Sequence, residues 1–400
     1  MEILDETMVS MQAVDRSVRG KSVTVIGAAR SGLAVAQLLS TNGAHVFVSD
    51  SSAAANLQSQ IPSVRSPLDN LQSLGIEVET GGHSSRVFAA DLIVLSPGVP
   101  TSAPVVREAK RRGMRIVSEL EVASWFCPAP IIAVTGTNGK TTTTTLIGRL
   151  LGDAKKKHSV AGNIGTAFSS VIPELDESSI AVLEVSSFQL DDIESFHPKV
   201  AIILNITPDH LDRYEQSFTK YIASKNRVFE NQTASDFLIY GYDDPATRES
   251  VQQSVNKEVR TLPFGIDRNF DEGAFLERGK LVTIIDGTRT EVIDTEDISI
   301  RGIHNLYNSM AGTLAVQLMK VSSASTRATL RNFKGVEHRL EFVRERDGVK
   351  YVNDSKATNV DSVWYALQAF KEPIVLILGG RDKGNDYARL IDLVERHVKA

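Results

Sequence analysis

The run Gly136-Thr137-Asn138-Gly139-Lys140-Thr141-Thr142 carries the residue types that hold a phosphate group. Glycines at 136 and 139 let backbone N–H groups turn inward around phosphate oxygens, Lys140 adds a positive charge, and the Thr141 hydroxyl suits Mg²⁺. An apolar run, Ile131-Ile132-Ala133-Val134, precedes the loop and a helical pattern follows it, which is the strand–loop–helix setting such a loop needs. The usual spacing would place a glycine at Val134, so this is a shortened variant. In that setting phosphate binding outweighs a chance Gly-Lys-Thr turn.

Other chemistry-bearing residues sit at strand ends. Asn205-Ile206-Thr207-Pro208-Asp209-His210 follows the apolar run Val200 to Leu204, and ligands of open α/β sheets gather at the carboxyl ends of strands. A helix-capping Asp with a solvated His is the alternative for Asp209 and His210. Glu184 ends the run Ile180 to Leu183 and is a hard oxygen donor of the kind Mg²⁺ takes beside nucleotide phosphates. Lys225 lies on a helical segment, where the residues alone read as a solvated lysine. Nearer the N-terminus, Gly27-Ala28-Ala29-Arg30-Ser31-Gly32 follows a dinucleotide fingerprint except for Ala29 in the middle glycine position, with Asp50 at the end of the next strand. That pattern points to a phosphate-bearing nucleotide or to a structural turn. Polar clusters at 335–339, 353–359 and 379–384 sit beside strand-like segments and suggest a shared binding surface.

The elements that must position these residues are those of an α/β protein. Strand-like segments at 21–27, 45–50, 91–98 and 115–119 around a helix from Leu33 to Leu39 predict a small Rossmann-like parallel domain over residues 1–125. After Pro128-Ala129-Pro130 a doubly wound domain is predicted over 126–298. The third segment, 299–400, opens with a helix from about His304 to Met319. It continues with a hairpin, Arg339 to Arg344 and Val349 to Asn353, about the turn Arg346-Asp347-Gly348, then a helix from Val360 to Phe370, a strand from Pro373 to Leu378 and a final helix from Tyr387. The 400 residues are 42% hydrophobic with a net charge of −5 and no basic block, which argues against a nucleic-acid surface. With Cys127 as the single cysteine there is no intrachain disulfide, and a reducing setting fits. No run has the roughly 18–20 apolar residues that cross a bilayer, so membrane insertion is not expected.

Together these motifs resemble the Mur ligase family. The resemblance runs from Gly27 to Gly384 and is carried by Gly136 to Thr142, Gly162-Asn163-Ile164-Gly165, Glu184 to Leu190, Asn205 to Tyr214, His304-Asn305, His338-Arg339 and Asn353 to Asn359. It implies the three-domain architecture of that family: a Rossmann-like N-terminal domain, a central P-loop ATPase-like domain and a Rossmann-like C-terminal domain. It also implies a cytoplasmic, monomeric, ATP-dependent ligase of peptidoglycan synthesis. The Asn353-to-Asn359 run and the glycine-rich first loop are similar to the branch that adds D-glutamate to UDP-N-acetylmuramoyl-L-alanine through an acyl phosphate.

By the same resemblance, Gly136 to Thr142 with Asn305, Arg339 and Asp354 would bind ATP. Thr141 and Glu184 would hold one Mg²⁺, and His210 and a carbamylated Lys225 a second. Lys140, Glu184, His210 and Lys225 would be catalytic. Asn163, Ser186 and His210 would contact the muramoyl substrate, and Arg30, Ser31, Asp50 and Ser51 its nucleotide end. Lys356, Thr358 and Lys383 would lie near the incoming glutamate. The family's third domain normally continues past this point with a Ser- and Phe-containing segment that helps bind D-glutamate, so the third sheet is expected to be incomplete here and to expose apolar surface. A ligase of the same family acting on another amino acid or on folate, a nucleotide-dependent oxidoreductase, and a non-catalytic nucleotide-binding protein are the alternatives.

Overall fold

The structure, a computed structural model, describes residues 14–53, 71, 73–163, 165–357, 359–370, 372–380 and 387–399. Contacts divide the chain into two compact units, one of residues 1–125 with 192–196 and one of 126–191 with 197–400.

The first unit is a parallel sheet of order β3-β2-β1-β4-β5, formed by Glu77–Thr80, His45–Asp50, Ser22–Ile26, Leu92–Leu95 and Ile116–Ser118. Both faces of its central strands are covered, so these read as continuous apolar runs, with Val25, Val48, Ile93 and Val94 fully buried. The edge strand β3 was not predicted. Its alternation is Glu-Val-Glu-Thr, which carries little apolar signal. The helix Arg30–Thr41 follows β1 at close range, and a Cβ on Gly32 would lie 1.8 Å from the Gly27 carbonyl oxygen, so only glycine permits this packing. Segment 192–196 is held to this unit by the buried Glu121 carboxylate. Its oxygens accept the backbone N–H groups of Glu194, Ser195 and Phe196 at 2.8–3.0 Å, the Ser195 hydroxyl and the Trp125 indole N–H.

In the second unit the sheet order is β14-β13-β12-β11-β10-β9-β6-β8-β7. The strands β6 (Ile131–Thr135), β7 (His158–Gly162), β8 (Ile180–Glu184), β9 (Val200–Ile203), β10 (Phe237–Gly241) and β11 (Arg260–Phe264) pair in parallel. An antiparallel meander, β12 (Gly273–Glu277), β13 (Lys280–Ile285) and β14 (Thr288–Asp294), extends one edge. Since β6 lies between β8 and β9, the sheet reverses its winding there, and the carboxyl end of β6 is the crevice where such sheets bind ligands. The core joins Val134, Leu146, Ile147, Val182 and Ile202 to Met310, Leu314 and Ala315. The helix Ile303–Leu318, expected to open the third segment, thus packs its apolar face into the core of the central sheet.

The hairpin is present as β15 (Glu341–Arg346) and β16 (Val349–Asn353), two residues later at its start than expected. Asp347 and Gly348 at its turn both have positive φ, 51° and 76°. A smaller cluster of Val363, Leu367, Leu390 and Leu393 ties the helix Val360–Gln368 to Ile391–His397. The strand expected at Pro373–Leu378 does not form. Only Ile374 makes an isolated bridge, to Val398, and no described neighbour pairs with 375–380, which leaves Ile377 96% exposed. No described helix is long and apolar enough to cross a membrane.

Candidate active site

The phosphate loop leaves β6 at Thr135 and enters the helix Lys140–Asp153. Its N-cap, Gly139, has a φ of +85°, and a Cβ there would stand 2.4 Å from Asn308 Oδ1. The loop is tied to the segment after β9 by reciprocal bonds. Thr137 N–H donates to the Asn205 carbonyl (2.8 Å), Asn138 N–H donates to Asn205 Oδ1 (2.9 Å), and the Asn205 amide returns a bond to the Asn138 carbonyl (3.1 Å). The Thr137 hydroxyl donates to the Thr207 carbonyl and accepts the Thr207 N–H, both at 3.0 Å. Those bonds place Asp209 and His210 beside the loop.

Lys140 folds back so that Nζ donates to the Gly136 and Thr137 carbonyls at 2.9 and 2.8 Å. Lys225, on the helix Phe218–Asn226, reaches the same Gly136 carbonyl from below at 2.8 Å. It is 1% exposed, and its amine lies 4.7 Å from the centroid of the buried Tyr221 ring. Burial lowers the pKa of both lysines. In Lys225 the nearby Lys140 charge adds to the effect, while Asp209, Asp191 and Glu184 oppose it. The amines of buried Lys225 and partly buried Lys140 on one carbonyl make a site that gains from an anion.

Glu184, opposite Val134 and Gly162 at the carboxyl end of β8, accepts the Thr141 hydroxyl at 2.8 Å on one oxygen and the Asn163 amide at 2.9 Å on the other. These hard oxygens fit Mg²⁺, which takes one or two protein donors and fills its octahedron with water and phosphate. Among the described residues no group of three or more His, Cys, Asp and Glu forms a cation cage. His210 is half exposed with its ring 3.7 Å from Asp209 Oδ2, whereas the contacts of Lys225 run to Gly136 and Tyr221. Ser186 is buried and engaged in a capping box with Gln189.

Beside the loop a cavity of ≈ 520 Å³ is lined by Asn138, Gly139, Thr142, Asn305, Arg339 and Asp354, and so gathers residues expected to bind nucleotide. His304, Tyr307 and Asp243, which were not among the expected site residues, line it too. The Tyr307 hydroxyl donates to Asp243 at 2.9 Å. The signals were the histidine preceding Asn305 and the carboxylate just past β10, a strand not read from the sequence. Arg339 Nε and His304 Nδ1 are buried and have no hydrogen-bond partner among the described residues, so the wall of this cavity carries polar atoms ready for a ligand. Burial raises the pKa of Asp354 against the pull of Arg339.

Burial, helped by Arg339, brings His304 down to about 4 from 6.5. As pH falls from 6.5 towards 4, the unfolded chain takes up a proton that the folded chain refuses, so stability present above pH 6.5 is lost across that window. We therefore expect His304→Phe to flatten the fall in Tm between pH 6.5 and 4 measured by calorimetry. Parallel Tm curves for the two proteins would remove His304 from this account.

In the first unit Asp50 accepts the Ala28 N–H at 2.6 Å and the Ser52 N–H at 2.7 Å, which fixes the Gly27–Ala28 turn. Ser51 and Arg30 are exposed and Ser31 is partly so, at the start of the helix Arg30–Thr41. Lys356 is exposed, and its N–H donates to the His338 carbonyl. Thr358 and Lys383 lie outside the described residues, as does Ile164.

A phosphate loop at the reversal of a parallel sheet, with an acidic strand end and two lysines around it, defines a nucleotide-dependent phosphoryl-transfer protein. Family models match the chain in three stretches: a Mur ligase MurD-like N-terminal domain over 21–118, the Mur ligase middle domain over 134–316 and the Mur ligase glutamate ligase domain over 338–400. UDP-N-acetylmuramoylalanine–D-glutamate ligases of Salinibacter ruber and Chloroherpeton thalassium are 44% and 43% identical to it, each over 96% of this chain and 83% of their own length. A solved murein peptide ligase of Psychrobacter arcticus shares the fold at 18% identity with a TM-score of 0.55, covering 94% of this chain and 83% of that one. The chain belongs to the Mur ligase family and has its three-domain fold.

Proposed function

We propose that this chain joins D-glutamate to UDP-N-acetylmuramoyl-L-alanine at the expense of ATP, a step of peptidoglycan precursor synthesis. The observation that carries the chemistry is the convergence of Lys140 and Lys225 on the Gly136 carbonyl, next to the Thr141–Glu184 pair. A free carboxylate is a poor acyl donor. Transfer of the γ-phosphoryl group to the alanine carboxylate supplies a leaving group, and the amine of D-glutamate then displaces phosphate to form the amide.

Phosphoryl transfer depends on positioning and charge stabilisation, which is what the site residues offer. Lys140 exchanges its bonds to the loop carbonyls for phosphate oxygens. Gly136 to Thr142 cradle the phosphates, and Asn305, Arg339 and Asp354 address the rest of ATP. Thr141 and Glu184 would hold one Mg²⁺, and His210 with a carbamylated Lys225 would hold a second, which when bound would neutralise phosphate charge. Asn163, Ser186 and His210 orient the muramoyl group, and Arg30, Ser31, Asp50 and Ser51 the uridine end. Lys356, Thr358 and Lys383 face the incoming amino acid. The protein acts as a cytoplasmic monomer without membrane insertion or nucleic acid.

The test is phosphate release from ATP with UDP-N-acetylmuramoyl-L-alanine and one amino acid at a time. D-glutamate is expected to be required. Preference for L-glutamate, L-lysine or diaminopimelate would overturn the proposal.

A further inference from the structure

Asn359 stands before the helix Val360–Gln368 as its N-cap, where its Oδ1 accepts the Ser362 N–H at 2.9 Å. Capping needs only that oxygen. The amide end of the same side chain is turned the other way, donating to Asn138 Oδ1 at 3.0 Å and to Asp209 Oδ2 at 3.4 Å. Ser362 adds its hydroxyl to the same Asn138 oxygen, also at 3.0 Å. Asn138 is the member of the phosphate loop whose N–H and carbonyl are already taken by Asn205. Its side chain is therefore fixed from one side of the crevice by the start of the C-terminal helix, while its backbone is fixed from the other by the segment after β9.

We propose that Asn359 is a positioning residue for nucleotide binding. Its amide holds Asn138, and with it the curvature of the phosphate loop, and also holds Asp209. Several features favour this over capping alone. Serine, aspartate and threonine cap as well as asparagine, yet they cannot donate with an amide in two directions. The two hydrogens of Nδ2 reach acceptors on different elements, Asn138 and Asp209, which lie well over a hundred residues away in sequence. Ser362, one turn on, converges on the same Asn138 oxygen, so the contact is made twice. The loop is thereby shaped partly by a segment far from it in the chain, and a change at 359 acts on the phosphates through Asn138. The inference rests on the proposed use of ATP at this loop.

The test separates the two ends of the side chain. Asn359→Ser keeps an oxygen for the cap and no charge, but loses the amide donors. Asn359→Ala loses both. Affinity for a non-hydrolysable ATP analogue with Mg²⁺, measured by calorimetry, is expected to fall about tenfold in each variant, the scale of one lost hydrogen bond to a polar partner. Tm is expected to drop by a few degrees only in Asn359→Ala. In a cycle with Asn138→Ala, adding Asn359→Ser should weaken binding by clearly less than it does in the wild type, since the bond to Asn138 is already gone and only the longer one to Asp209 is left to lose. Wild-type affinity in Asn359→Ser, or additive losses in the cycle, would overturn the proposal. The binding measurement needs neither UDP substrate nor D-glutamate. A chain that binds the analogue but performs no ligation would count against the proposed function, and Asn359 would still be judged on affinity.

Discussion

Lys140→Ala is expected to lower ATP turnover on the order of a thousandfold while leaving Tm within a few degrees of the wild type. The size follows from where the charge sits. Lys140 is partly buried in the phosphate loop, and among the described residues its amine bonds only to the Gly136 and Thr137 carbonyls. Those carbonyls are what an incoming γ-phosphate would replace. In a site with little water, a fixed positive charge beside the transferring group is worth far more than at a surface. The small effect on folding follows from the same burial. Desolvation already lowers the pKa of this amine, so keeping it in the folded chain costs free energy, and Gly136 keeps its bond to Lys225 when Lys140 is removed. Phosphate release and a melting curve on one preparation check both halves. Turnover that survives the substitution would move the chemistry away from this loop.

The loop was legible because everything it needs is local: two glycines, a lysine and a threonine between an apolar strand and a helix. Glu184 and Asp209 were legible for a similar reason, each following an apolar run that had to be a buried strand. Lys225 was not. Its helix has polar residues on several sides, and nothing in Tyr221-Ile222-Ala223-Ser224-Lys225 says that the lysine points inward to a carbonyl 89 residues earlier. The meander β12 to β14 was also missed, although Asp286-Gly287 at its second turn has the same positive φ pair, 52° and 68°, as the Asp347-Gly348 turn that was read correctly. Its strands are half buried and mixed in character, so the apolar signal that marked β6, β8 and β9 is absent. The cavity beside the loop draws Asn138, Asp243, His304 and Asp354 from segments that only the fold brings together, so the residues alone do not show it; the family resemblance named Asn138, Asn305, Arg339 and Asp354, while Asp243 and His304 were missed. The strand expected at 373–378 shows the opposite error: an apolar run is a strand only where a neighbour offers it hydrogen bonds.

Lys225→Met is expected to raise Tm by a few degrees at neutral pH and to reduce turnover by at least about a hundredfold, an exchange of stability against function. The wild-type amine is 1% exposed, and its pKa lies well below the ordinary 10.5 because burial and Lys140 both disfavour its charge. Between the folded and the ordinary value, the unfolded chain binds a proton that the folded chain does not. Stability therefore rises with pH through that window, and at its lower part the buried amine is a cost that methionine removes. The same depressed pKa keeps neutral amine present at a pH where an exposed lysine is almost wholly protonated. A neutral amine can attack CO₂: nitrogen bonds to carbon, one N–H proton leaves, and a carbamate anion results. That anion would stand beside Lys140 and supply the oxygen donors that an amine lacks. Acid reverses the sequence, because protonation competes with CO₂ for the nitrogen lone pair, so turnover should fall as pH drops. Labelled bicarbonate should give a carbamate ¹³C resonance in the wild type that is missing from Lys225→Met, and depleting CO₂ should lower turnover until bicarbonate is restored. Full turnover in CO₂-free buffer, with no such resonance in the wild type, would leave Lys225 as a buried amine with a structural role alone.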